Sequence, residues 1–264
     1  AKGLLVLDPE RIDRFNTLDE AITLATLPAF AVVEARQMVA TVKIIPFAVP
    51  ATLVDEALGL VADGGPLVTV APFRQLRYRL IQTVLPGTSP KMLDKTVRVT
   101  AERIQAVGGE LSGESRCPHE VEALRAAVRD ADSAGFDLLL IAGASAITDR
   151  RDVLPAAIEA AGGRVEHFGM PVDPGNLLLL AHLGNRPVLG LPGCCRSPKL
   201  NGFDWVLQRL AAGLAVTRRD VQRMGMGGLL MEIPSRPQPR EDGEDRARAR
   251  PPKVAAIMLA AGQS

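Results

Sequence analysis

Two carboxylates, Asp149 and Asp152, follow a small-residue turn at 142–148 (AGASAIT), and a second turn, Pro192 and Gly193, leads into Cys194, Cys195, Arg196 and Ser197. A carboxylate beside such a turn can hold a divalent cation against phosphate oxygens. Ser145 and Thr148 could donate hydroxyl hydrogen bonds to the same oxygens, and Arg196 and Lys199 could add positive charge. Each residue also has a plainer use. Asp152 suits the first turn of a helix as a partner for its dipole, and Asp149, Ser145 and Thr148 are all capping types. Gly143 and Gly193 permit close approach of backbone to a ligand, or simply serve turns that need positive φ. Arg196 and Lys199 fit an exposed first helical turn.

The pair Cys194 and Cys195 offers soft thiolates, but adjacent cysteines lack the spacing of a closed metal site. Buried cysteines at a helix entrance are the simpler reading. His119, His167 and His182 stand apart in the sequence with no i,i+4 pairing.

These turns need elements to hold them. Residues 136–141 (FDLLLI) and 186–191 (RPVLGL) read as buried strands, each delivering its turn to a helix N-terminus, where N–H groups and the helix dipole suit an anion. Two such loops in one α/β domain imply a cradle for a phosphorylated small molecule. Around them the pattern predicts strands at 67–70, 77–83, 110–114 and 164–168, and a hairpin at 177–183 and 187–191. Helices are predicted at 89–107, 118–132, 152–161 and 197–212. Such alternation predicts a three-layer α/β fold, a mostly parallel sheet with helices on both faces. Residues 1–66 read as a smaller N-terminal α+β segment: strands at 4–7 and 38–45, a helix opening at Asp8 and Pro9, Asn16 capping a further turn, and a helix from Pro50 to Asp63.

Composition excludes several classes. The chain has 264 residues, 47% hydrophobic and 23% charged, ample for a core. Basic and acidic residues number 31 and 30, and there is one Trp and one Tyr, so neither a global field nor stacking surfaces favour nucleic acid. Three cysteines form no disulfide framework, and no apolar run approaches the roughly 18 residues of a membrane span. A reducing cytoplasm is the expected location, with no membrane partner.

Residues 234–253 are dense in Pro, Arg, Asp and Glu without an apolar period, as in a linker. Residues 254–264 (VAAIMLAAGQS) read as a strand entering a glycine loop, the opening of another domain. The expected organisation is therefore 1–66 accessory, 67–232 α/β, 233–253 linker and 254–264 the start of a further domain.

The region from about Arg77 to Ala212 resembles the molybdopterin-binding domain of molybdenum cofactor biosynthesis proteins, the family of molybdopterin adenylyltransferases and molybdotransferases. The resemblance rests on FDLLLIAG at 136–143, TDRRDVLP at 148–155, DPG at 173–175, and GLPG at 190–193 with Ser197 beyond it. Residues 257–264 look like the opening of a molybdenum cofactor guanylyl- or cytidylyltransferase, where the loop would cradle a nucleotide. The sequence departs from the family where AGASA replaces a Gly-Gly loop, where Cys194 and Cys195 replace Asn-Pro, and where 83–87 lacks an acidic element.

The resemblance implies molybdopterin or the molybdenum cofactor as ligand, held by Gly143, Ser145, Thr148, Pro192, Gly193, Ser197 and Lys95. Thr96 and Arg98 are neighbours in the same helix, and solvated charge is the alternative for Lys95 and Arg98. It further implies that the domain presents the cofactor to a fused nucleotidyltransferase. The alternatives are catalysis by this domain itself, with Asp152 and Asp149 as catalytic residues and Asp152 holding Mg²⁺, and a non-catalytic scaffold. Relatives assemble as dimers or trimers, which implies a homo-oligomer.

Overall fold

The structure is a computed structural model and describes residues 1–230. The linker and nucleotidyltransferase-like segment expected at 233–264 lie outside the described residues. In order, the elements are β1 (Gly3–Leu7), α1 (Pro9–Asn16), β2 (Ile22–Thr26), β3 (Val32–Val33), β4 (Ala40–Ile44), α2 (Ala51–Ala62) and β5 (Val68–Pro72). They continue with β6 (Arg77–Val84), α3 (Pro90–Ala106), β7 (Glu110–Pro118), α4 (Val121–Ala134), β8 (Leu138–Ala142) and α5 (Val153–Ala160). Last come β9 (Arg164–Phe168), β10 (Leu179–Leu183), β11 (Arg186–Leu191), α6 (Gly202–Ala211) and α7 (Arg218–Gln222).

In the N-terminal part, β1 lies between β3 and β5 and runs antiparallel to both, while β2 pairs with β4. Phe15, Ile22, Leu24, Ala57 and Leu67 form its small core. Asp8 caps α1 by accepting from Arg11 N, and Pro9 occupies the first turn, where a missing N–H costs nothing. Asn16 does not cap a further turn as its type suggested. It ends α1, and its amide closes both bonds to the Leu24 backbone, at 2.7 and 2.9 Å. A strand edge outcompetes a helix start there because one amide satisfies a donor and an acceptor together.

The main sheet has six strands in the order β7-β6-β8-β11-β10-β9. The first four are parallel, and β10 is antiparallel to both neighbours. Its centre explains its layers. Every residue of β8 is buried, so neither face can be left to water. Leu138 and Leu140 face α3 and α6, packing with Ile104, Phe203 and Val206. Leu139 and Ile141 face α4 and α5, packing with Leu124, Val128 and Ile158. Burying each such aliphatic side chain contributes roughly 1.5–3 kcal/mol. The expected three-layer α/β fold is the one observed.

The helix expected at 197–212 begins later, at Gly202. Pro192 is followed by a single 3-10 turn, Gly193–Arg196, and then by an irregular stretch containing Pro198. Asn201 and Asp204 form a reciprocal capping box that starts α6, so the second loop enters no α-helix at Gly193. The DPG segment supports this start: Gly202 N donates to Pro174 O at 2.8 Å, and a Cβ on Gly175 would lie 2.8 Å from Gly202 N.

Candidate functional site

Strands β8 and β11 are parallel neighbours, with Ala142 opposite Leu191, so both turns leave the sheet side by side at its carboxyl end. That edge is where open α/β sheets place ligands. Gly143, Pro192 and Gly193 meet there in a narrow cleft, with Thr96 of α3 and Arg196 completing its wall. The space between them is small, about 10 Å³, room for a single water-sized sphere. Arg196 fills the rest: its Nη2 donates to Gly143 O at 2.8 Å, crossing from one loop to the other. Its Nε is buried without a hydrogen-bond partner. A buried N–H left unmade carries a penalty of about 1–3 kcal/mol, which an anion would remove.

The second loop is fastened by Arg103 of α3. Its guanidinium pairs with Asp204 at 2.6 Å and donates to the carbonyls of Cys195, Ser197 and Lys199 at 2.8, 2.7 and 2.9 Å. All these partners belong to the loop or to the start of α6, so one side chain fixes the path of residues 195–199. Burial raises the Asp204 pKa, and the Arg103 charge opposes that rise.

The first loop is built differently. Asp152 Oδ2 accepts from Thr148 N at 2.5 Å, Asp149 N at 2.8 Å and Thr148 Oγ1 at 3.2 Å. Those backbone bonds, from Thr148 and then Asp149, hold its pKa below the usual carboxylate value. The N–H groups expected to meet an external anion are thus met by the chain's own carboxylate, which already plays that part. Asp149 Oδ1 accepts from Arg151 N at 2.7 Å and pairs with its guanidinium at 3.2 Å, and these bonds lower its pKa as well.

Beyond that turn lies a polar chain not evident in the sequence. Ser145 Oγ is 2.8 Å from His119 Nε2, His119 Nδ1 is 2.8 Å from Thr83 Oγ1, and Thr83 Oγ1 accepts from Ala144 N at 2.8 Å. Thr83, His119 and Ser145 come from the ends of β6, β7 and β8, three adjacent strands of the sheet. Burial lowers the His119 pKa, while the nearby Asp152 charge pulls it up. A neutral ring with Nδ1 protonated accepts the Ser145 O–H at Nε2, the donor order that activates a serine. The third member is a hydroxyl, which orients the ring but supplies no charge to stabilise an imidazolium.

The cysteines divide. Cys195 lines the cleft and is buried, and burial pushes its pKa up. Cys194 is exposed, and its sulfur accepts from Asn201 Nδ2 at 2.9 Å. The neighbouring Cys195 thiol and then Asn201 bring its pKa down to about 6.

Of the residues expected at the site, Gly143, Pro192 and Gly193 therefore come together. Ser145 joins His119 instead, and Thr148, Asp149 and Asp152 form their own turn. Ser197 offers its carbonyl to Arg103. Lys95 is exposed on α3, one position before the cleft residue Thr96, and Arg98 pairs with Glu102 at 2.9 Å. Among the described residues, no three His, Cys, Asp or Glu side chains gather in a way that could hold a metal ion. The parts played by Arg103, Thr83 and His119 do not show in the sequence. The one signal in the sequence is the polar pair Gln82 and Thr83, both of which prove buried, after Leu80 and Ile81 near the carboxyl end of β6.

Residues 82–212 match the family model of a probable molybdopterin binding domain. The matched domain runs from Gln82 in β6 to the residue after α6, and so contains both loops, the cleft, the Thr83–His119–Ser145 chain and the Arg103 clamp. Similar solved structures include the molybdopterin biosynthesis MoeA protein of Pyrococcus horikosii, at 19% identity and TM-score 0.39, covering 86% of this chain and 68% of that one. The molybdopterin biosynthesis enzyme MoaB of Thermus thermophilus is 19% identical, with TM-score 0.40 and coverage of 53% and 98%. CinA of Thermoplasma acidophilum, of unknown function, is 11% identical, with TM-score 0.37 and coverage of 53% and 96%. No curated protein matches the chain. No helix among the described residues is long and apolar enough to cross a membrane.

Proposed function

We propose that the matched domain binds molybdopterin or the molybdenum cofactor, with the terminal phosphate at the Gly143–Gly193 cleft, and presents it to a fused cytidylyl- or guanylyltransferase opening at residues 254–264. The observation that carries this reading is Arg196, which spans the two loops with a buried Nε lacking a partner. A phosphate in place of the Gly143 carbonyl gives that guanidinium an ionic acceptor, which adds charge–charge attraction and a bidentate geometry that a carbonyl does not offer. The cleft is too small for a phosphate while Arg196 lies across it. Binding therefore moves the Arg196 side chain off Gly143 and onto the ligand.

In this reading Lys95, next to Thr96 on α3, adds charge at the cleft mouth. Ser145 and Thr148, on the first loop, and Ser197, on the second, flank the phosphate. If the domain also catalyses adenylylation or molybdate insertion, Asp152 would hold Mg²⁺, with Asp149 beside it. The ion's contribution is to neutralise phosphate charge. Assembly as a homo-oligomer in the cytoplasm is part of the same proposal.

Anaerobic titration of the full chain with molybdopterin tests it. Saturable binding is expected, weakened at least tenfold by Arg196→Gln. Absence of binding, or equal affinity in the variant, overturns it.

A further inference from the structure

A much larger hollow than the cleft lies elsewhere. Beside α6, Leu4 and Phe30 from the N-terminal part join Trp205, Arg209, Arg223 and Met226 in lining a cavity of about 530 Å³. That volume lies within the 300–1,000 Å³ usual for small-molecule sites. Its walls are mostly apolar, and among the described residues lining it there are two arginines and no carboxylate.

Arg209 defines the chemistry. Its guanidinium carbon lies 4.1 Å above the Phe30 ring, and its Nη1 is buried without a hydrogen-bond partner. Asp220 is the acidic group that acts on both Arg209 and Arg223. Its Oδ2, however, accepts from Thr217 N at 2.8 Å and Thr217 Oγ1 at 2.6 Å, closing the cap of α7. One carboxylate is set against two guanidinium groups, so the cavity keeps an excess of positive charge.

Phe30 adds a second, independent observation. It has φ +61, a left-handed conformation that an aromatic residue rarely adopts. It is held there by Phe30 N donating to Leu5 O at 2.7 Å and Leu5 N donating to Ala31 O at 2.9 Å. Strain of this kind gathers at ligand sites. Here it sets an aromatic ring at the cavity rim, with Trp205 among the other lining groups.

We propose that this cavity is a second binding site, separate from the cleft, for a small planar aromatic molecule carrying a carboxylate or another oxyanion. The ring lies among Phe30, Trp205 and Met226, and the anion meets the Arg209 guanidinium, with Arg223 adding charge at the mouth. A neutral acceptor can take a guanidinium N–H, but only an anion adds ionic attraction to two guanidinium groups, so charge selectivity is the signature.

Trp205 is the chain's single tryptophan and therefore gives one indole N–H signal by NMR. Titration of the full chain with 2-naphthoate is expected to shift that signal saturably. The neutral 2-naphthamide is expected to bind at least tenfold more weakly, and inorganic phosphate alone not to shift the signal. Arg223→Gln and Arg209→Gln are each expected to weaken 2-naphthoate several-fold and 2-naphthamide distinctly less. Arg223 is exposed, so its variant remains informative should Arg209→Gln fail to fold. Equal affinity for the two naphthalenes, an unmoved indole signal, or affinity unaffected by both substitutions overturns the proposal. Molybdopterin binding is unaltered in Arg223→Gln, which keeps this test separate from that of the cleft.

Discussion

His119 stands between two hydroxyls, and its protonation state decides what the chain through Ser145 can do. Burial outweighs the pull of Asp152 and sets its pKa below the ordinary value of about 6.5. The unfolded chain therefore binds the proton more readily. Stability from this group is complete above about 6.5 and is lost as pH falls from there through the folded pKa. An NMR titration is expected to show His119 with a pKa below 6.5, rising in Ser145→Ala if water then reaches the ring; a value at or above 6.5 contradicts the reading. Cys194 makes an opposite demand. With a pKa of about 6 it is largely thiolate at pH 7, so iodoacetamide should label it quickly with a rate that levels off above pH 7. Cys117 and Cys195, both buried, stay unlabelled. A rate still climbing between pH 8 and 9 would show an ordinary thiol. None of this was legible in the sequence. Thr83 and His119 are 36 positions apart and His119 and Ser145 are 26 apart, and only the sheet brings their strand ends together.

At the scale of elements, the loops are held by unlike devices, and substitutions should tell them apart. Arg103 anchors residues 195–199 through one buried ion pair and three carbonyls. Arg103→Met strands Asp204 in the core and should destabilise the fold by about 3–5 kcal/mol in denaturant unfolding. The two glycines differ too. A Cβ on Gly143 would sit 2.9 Å from Ser145 O and 3.2 Å from Leu154, whereas one on Gly193 meets nothing nearer than Arg196 at 3.7 Å. Gly143→Ala should therefore lose about 1–3 kcal/mol, and Gly193→Ala less than about 0.5 kcal/mol. Equal losses would place the need for glycine in the fold at both positions. The strands around these loops were readable because runs such as LLLIA are apolar at every position. The apolar pattern alone puts the start of α6 too early, at Ser197, although Asn201 and Asp204, three residues apart, carry the capping signal. The strand Ile22–Thr26 escapes a pattern reading because five residues with one partner strand leave little periodicity.

For the molecule as a whole, two hydrophobic layers on a six-stranded sheet bring together turns that the sequence separates by some fifty residues, and α6 is tied to the second loop at its start and lines the larger cavity beyond it. Its start shares Arg103 with the second loop, and Trp205 and Arg209 further along line the larger cavity. The layered architecture was legible because alternation of strand and helix leaves few alternatives. The filling of the cleft was not, since whether Arg196 points to solvent or across to Gly143 depends on neighbours 53 positions away. If both turns grip one ligand, amide NMR shifts during anaerobic titration with molybdopterin read it out. The Gly143 and Gly193 amides are expected to move together, with one shared midpoint, while the Trp205 indole stays still. Movement of only one glycine, or of Trp205 in place of both, would contradict it.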